Sequence, residues 1–172
     1  MHISVNAGHT KGGAGYGAVY KGFHESNITR EVVKALIPKL QERGHTVHTS
    51  TVDRAASQAA YLRKVCDLAN TSGADLFLSV HCNASASREG HGVECFTWRG
   101  KNVPQAAKIC GNMAKLGYRD RGVKDGSGLY VIKHTKATAI LVELFFLDNY
   151  TDGKLFLEHV AEGIAEAIAT SI

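Results

Sequence analysis

Apolar positions along the chain follow two different periods. Ile3 to Ala7 has the density and length of a strand, and after a long Gly-rich loop Ile28, Val32, Val33, Leu36, Ile37 and Leu40 mark one face of a helix. Gly44 follows where a helix stop is expected. His45 to Ser50 predicts a second strand, and Ala55 to Asn70 a second helix carrying Leu62, Val65, Cys66 and Ala69 on one side. Asp75 to Val80 predicts a third strand, Val93 to Trp98 a fourth, Pro104 to Leu116 a third helix and Leu129 to Ile132 a fifth strand. Ala139 to Phe146 predicts a sixth strand that is nearly all apolar, and Leu155 to Ile168 a last helix.

Apolar strands separated by amphipathic helices predict an α/β fold. The expectation is a single three-layer domain over residues 1–172, with a mostly parallel six-stranded sheet and helices on both faces. Ligands of such sheets gather beyond the carboxyl ends of the strands, so polar residues at those ends are the ones to weigh.

Three polar side chains stand at such places. His9 follows the first strand in Asn6-Ala7-Gly8-His9, His81 ends the third in Ser79-Val80-His81-Cys82-Asn83, and Glu25 opens the first helix. Two imidazoles and a carboxylate are a donor set of catalytic zinc sites, in which water takes the fourth tetrahedral position. A lone histidine is more often structural or solvated; the joint placement is what points to a metal.

Glu143 interrupts the apolar run Ala139-Ile140-Leu141-Val142-Glu143-Leu144-Phe145-Phe146, where an uncompensated carboxylate costs several kcal/mol in desolvation. The bland reading turns it outward or pairs it with a lysine or arginine, and its apolar neighbours on both sides weigh against that. Beside water activated by zinc, such an acid can take a proton, and a raised pKa suits the task near neutral pH. Zinc lowers the pKa of water from about 15.7 to about 7 and polarises a carbonyl, so the expected chemistry is zinc-dependent amide hydrolysis.

Other motifs fit less well. His24-Glu25 begins like H-E-x-x-H, but position 28 is Ile28. Lys11 to Gly17 is glycine-rich without the Gly-Lys-Ser/Thr of a phosphate loop, and is expected to be a mobile loop at the site. No serine has a G-x-S-x-G setting, and Cys82 would point away from His81 along a strand.

At 172 residues the chain suits one domain, and 44% apolar with 21% charged residues is ordinary for a globular protein. No segment approaches the roughly 20 apolar residues of a membrane-spanning helix. Cys66, Cys82, Cys95 and Cys110 are scattered singly, which predicts reduced, buried thiols. The net charge of +4 is not clustered in the manner of nucleic-acid binding, and it is compatible with an anionic polymer without singling one out. Met1 to Ala7 lacks the features of a signal peptide, so synthesis in the cytoplasm without one is expected.

The sequence resembles the zinc-dependent N-acetylmuramoyl-L-alanine amidases of bacterial autolysins and bacteriophage endolysins over essentially its whole length. The likeness runs through Ala7-Gly8-His9, Glu25 with its helix ending in Arg43-Gly44-His45, and Leu62-Arg63 leading to Ala69-Asn70. It is most specific at Ala74 to Ala84, around Asp75 and His81, and at Leu141 to Asn149, and includes Gly92-Val93-Glu94. The resemblance implies that His9, Glu25 and His81 hold one zinc ion and that Glu143 is the catalytic carboxylate. It also implies hydrolysis of the amide joining N-acetylmuramic acid to the L-alanine of the peptidoglycan stem peptide, and Asn83 is a candidate substrate contact. Two positions depart from the family: the arginine after the second strand is delayed to Arg54, and Ala137 stands where a proline is common.

These expectations describe a monomeric catalytic domain with no wall-binding domain, acting on the extracellular cell wall. A zinc carboxypeptidase-like enzyme on a related scaffold, or a noncatalytic wall-binding module, would share much of the pattern. Intact Glu143 argues against the module, and the products formed from muropeptides separate the two enzymes.

Overall fold

The computed structural model describes residues 1–172. In chain order its elements are β1 (His2–Ala7), the short hairpin β2 (Val19–Tyr20) and β3 (Phe23–His24), α1 (Glu25–Glu42), β4 (Thr46–Thr49), α2 (Gln58–Thr71) and β5 (Leu76–Asn83). There follow β6 (Val93–Thr97), α3 (Pro104–Lys115), β7 (Asp120–Asp125), α4 (Tyr130–His134), β8 (Thr138–Phe146) and α5 (Tyr150–Ala169).

Six strands form one sheet in the order β4-β1-β5-β8-β6-β7. The first four are mutually parallel; β6 runs antiparallel to β8, and β7 parallel to β6. The single α/β domain with a mostly parallel six-stranded sheet is therefore as expected.

Alternation along the strands divides the core. Leu76, Leu78 and Val80 of β5, Ile140, Val142 and Leu144 of β8, and Val93 and Cys95 of β6 enter a cluster of 31 buried residues with α1, α3 and α5. Their alternates Phe77, Ala139 and Leu141 join a cluster of 10 with Tyr61, Val65, Cys66 and Ala69 of α2 and Val131 and Ile132 of α4. Helices thus lie on both faces, but the second face has the smaller cover. His81 and Glu143 lie on that second face, past its apolar cover, toward the carboxyl ends of β5 and β8.

One strand was misplaced by the sequence pattern. Leu129 to Ile132 is not a strand: it leads into α4, whose Val131 and Ile132 pack against α2. Four residues are too few to separate a helical period from a strand period, and their β-branched character favoured the wrong one. The sixth strand is β7, whose sequence Asp-Arg-Gly-Val-Lys-Asp has no apolar alternation because it is a polar edge strand. The hairpin β2–β3 lies inside what reads as a Gly-rich loop. All four cysteines are free and buried. No helix is long and apolar enough to cross a membrane.

Asp152, in the first turn of α5, ties the end of β8 to the start of β6. Its Oδ2 accepts the N–H groups of Gly92 (2.7 Å) and Phe146 (2.9 Å), while the helix itself is capped by Asn149 Oδ1 accepting from Thr151 and Asp152. Asp152→Ala leaves two buried donors unmet, each costing about 1–3 kcal/mol. Urea unfolding should therefore show a loss of about 2–6 kcal/mol; a variant within experimental error of the parent would mean that the two N–H groups find other partners.

Candidate active site

The site is assembled from the end of β1, the start of α1 and the end of β5. The carboxylate of Glu25, only 4% exposed, is the focus. Its Oε1 lies 3.1 Å from His9 Nε2 and 3.2 Å from His81 Nδ1, and it accepts the backbone N–H of Cys82 at 3.0 Å. Its Oε2 accepts the N–H of Ala18 at 3.0 Å. The two imidazoles meet edge to face with centroids 4.9 Å apart.

Burial alone would raise the Glu25 carboxyl, yet hydrogen bonds from His81 and His9 and their charge hold it well below the usual range. For His9, burial acts downward, and the hydrogen bond and charge of Glu25 outweigh it, so the imidazole is raised.

These three residues fit a metal ion. One donor atom from each of His9, Glu25 and His81 lies within 4.8 Å of the others, so a single ion can be reached by all three. Their outer ring atoms are held as metal-binding imidazoles require: His9 Nδ1 is 2.9 Å from Gly15 O, and His81 Nε2 is 3.1 Å from Ser79 Oγ. Nitrogen and carboxylate donors at this spacing suit zinc. Gly8 has to be glycine, because a Cβ there would sit 2.4 Å from His81 Cε1.

Glu143 stands beside this set. It is the register partner of His81 in the neighbouring strand, so the two side chains rise from the same face of the sheet. Its Oε2 is enclosed and has no hydrogen-bond partner. Burial, with the charges of Glu25 and Glu94 added, pushes its carboxyl well above the ordinary range. His9, His81 and Glu143 share a cavity of about 350 Å³ with Asn6, Gln58, Tyr61 and Tyr130.

Residues 3–172 match the family described as N-acetylmuramoyl-L-alanine amidase. The chain belongs to that family. It is 32% identical over 158 residues to N-acetylmuramoyl-L-alanine amidase LytC of Bacillus subtilis (strain 168), covering 87% of this chain and 30% of that protein. It is 34% identical to the endolysin of Bacillus phage SPP1, over 97% of this chain and 64% of that protein. The catalytic domain of the CD27L endolysin targeting Clostridia Difficile superposes with a TM-score of 0.90 at 27% identity, over 99% of this chain and 96% of that one. The chain thus spans less than two thirds of LytC and of the phage endolysin.

Within this amidase-family site, several contributors escaped the sequence pattern. His9 has a left-handed backbone, φ +68°, that a residue with a side chain adopts only when held. Its N–H donates to Tyr61 Oη at 2.6 Å and its carbonyl accepts Arg30 Nη2 at 2.8 Å. Tyr61 falls on the buried side of α2, and nothing in a helical period tells a core tyrosine from one that orients a ligand. The Gly-rich loop does lie at the site, through Gly15 and Ala18. Asn83 is not among the residues lining the cavity; its Nδ2 donates to Glu94 Oε1 at 2.8 Å and its Oδ1 accepts from Ala84 N at 2.9 Å.

The raised Glu143 has a thermodynamic signature. In the unfolded chain this carboxyl ionises near pH 4.3; above that pH the folded state holds the proton and the unfolded state has lost it, so stability falls as pH rises toward the folded pKa. Glu143→Gln lacks that slope. Thermal melts of metal-free protein should show the variant gaining on the parent from about pH 5 upward; parallel melting profiles would contradict the buried, unpartnered carboxyl.

Proposed function

We propose that the chain is a catalytic domain that hydrolyses the amide between N-acetylmuramic acid and the L-alanine of the stem peptide in peptidoglycan, using zinc held by His9, Glu25 and His81. The observation that carries this reading is the convergence of those donors beside an unpartnered acid, in a chain of the N-acetylmuramoyl-L-alanine amidase family. Related proteins named as a phage endolysin and a bacterial amidase support the wall as the place of action.

When bound, zinc supplies Lewis-acid polarisation of the scissile carbonyl, acidifies a water molecule and by its charge draws the Glu143 carboxyl down from its metal-free position. The chain's own residues do the rest. Glu143 Oε2 takes the proton of the attacking water and returns it to the leaving L-alanine nitrogen. Tyr61 and Arg30 hold the His9 backbone so that Nε2 faces Glu25. The hydrogen bonds at the outer nitrogens of His9 and His81 fix both rings.

Two variants separate the roles. Glu143→Ala should keep its zinc and lose about 10²–10⁴-fold in hydrolysis. His81→Ala should lose the metal, because two remaining protein donors make a poor zinc site. Zinc analysis by mass spectrometry, turbidity loss of cell walls and the new amino termini of digested muropeptides provide the readouts. Full activity in Glu143→Ala, undiminished zinc in His81→Ala, or release of single C-terminal residues in place of L-alanine amino termini would each overturn the reading.

A further inference from the structure

The polar end of the open sheet face does not stop at Glu143. Glu94 of β6 is the register partner of Glu143, on the side away from His81, so His81, Glu143 and Glu94 form a row across three strands. Glu94 is buried, and its Oε2 is paired with both Arg121 (Nε at 2.6 Å) and Lys124 of β7. Burial alone would raise the Glu94 carboxyl; hydrogen bonds from Lys124 and Arg121 hold it below the ordinary range.

One buried carboxylate thus holds two cations. Glu94 is the one carboxylate ion-paired with both cations; Asp152 lies within Coulombic reach of Arg121, Asp120 Oδ1 accepts Gly122 N, and Asp125 Oδ1 accepts from Ser127. The cations are the accessible part of the cluster, Lys124 most of all, since the Arg121 and Lys124 side chains are 25% and 38% exposed against 5% for Glu94. The backbone also aims both cations at this spot. Between Val93↔Asp120 and Cys95↔Val123 the edge strand carries one extra residue, a bulge with Gly122 at φ +76°. Without it, Arg121 and Lys124 would alternate to opposite faces.

We propose that Arg121 and Lys124 form an anion subsite that binds a carboxylate on the residue following L-alanine in the stem peptide. The distances agree. The cations reach back over β6, one strand spacing of about 4.8 Å from Glu143, and the next residue of a bound peptide lies about 3.8 Å along from the L-alanine Cα. Glu94 orients the pair from beneath, leaving the exposed sides of Arg121 and Lys124 to the substrate. Asn83 then serves this subsite through Glu94. The inference rests on the amidase reading above.

The test compares N-acetylmuramoyl-L-alanyl-glutamic acid with the same compound carrying both glutamyl carboxyls as amides. The parent protein should show a KM about tenfold lower for the acid, and Lys124→Met and Arg121→Gln should bring the ratio of the two KM values close to one, while Lys124→Arg restores it. Zinc content and melting temperature check that the variants are folded. Calorimetric binding of both compounds to Glu143→Ala gives the same comparison without turnover. No preference in the parent, or a preference unchanged in both Lys124→Met and Arg121→Gln, overturns the subsite and leaves the amidase reading intact. If binding discriminates but neither compound is cleaved, the amidase reading fails and the subsite stands.

Discussion

A negative charge with almost no solvent, the Glu25 carboxylate, is the constraint from which the site follows. An ionised carboxylate so placed is tolerated only with several donors on it. Four converge, from His9, His81 and the N–H groups of Ala18 and Cys82, and they come from three separate segments. Satisfying Glu25 therefore draws the Gly-rich loop, the exit of β1 and the exit of β5 to the start of α1. The same convergence puts two imidazole nitrogens and a carboxylate oxygen within reach of one cation. A compensation required by burial and a donor set for a metal are one arrangement here.

That arrangement explains what could be read from the residues. His9, Glu25 and His81 were legible because each stands at the end of an apolar strand or the start of an amphipathic helix, where an α/β sheet exposes its functional edge. Glu143 was legible because apolar neighbours flank it on both sides in β8. What failed was whatever periodicity does not encode. β7 is polar because it is an edge, so no alternation announces it, and α4 is a single turn whose β-branched residues imitate a strand. Tyr61 and Arg30 act through hydrogen bonds to the backbone of His9, and no spacing in the chain reports a contact between residues 21 and 52 positions apart.

Unequal cover of the sheet then decides where substrate can go. The face under α1, α3 and α5 holds a cluster of 31 buried residues, whereas the face under α2 and α4 holds one of 10, and there the two helices wall a cavity with His81 and Glu143. That cavity, of about 350 Å³, brings His9, His81 and Glu143 together at the second face. A peptide lying across the strand ends would cross strands in the order β1, β5, β8, β6, meeting donors for a metal first and cations last.

Three carboxylates share that open end, and their surroundings separate them. Glu25 is held ionised by imidazoles, Glu94 by Arg121 and Lys124, and Glu143 alone has no counter-charge of its own. Burial first, and then the charges of the two compensated acids, push the third toward its protonated form. The acid left uncompensated is the one whose surroundings favour its protonated form. Glu94 therefore affects the chemistry twice: its charge raises Glu143, and its geometry presents two cations one strand away.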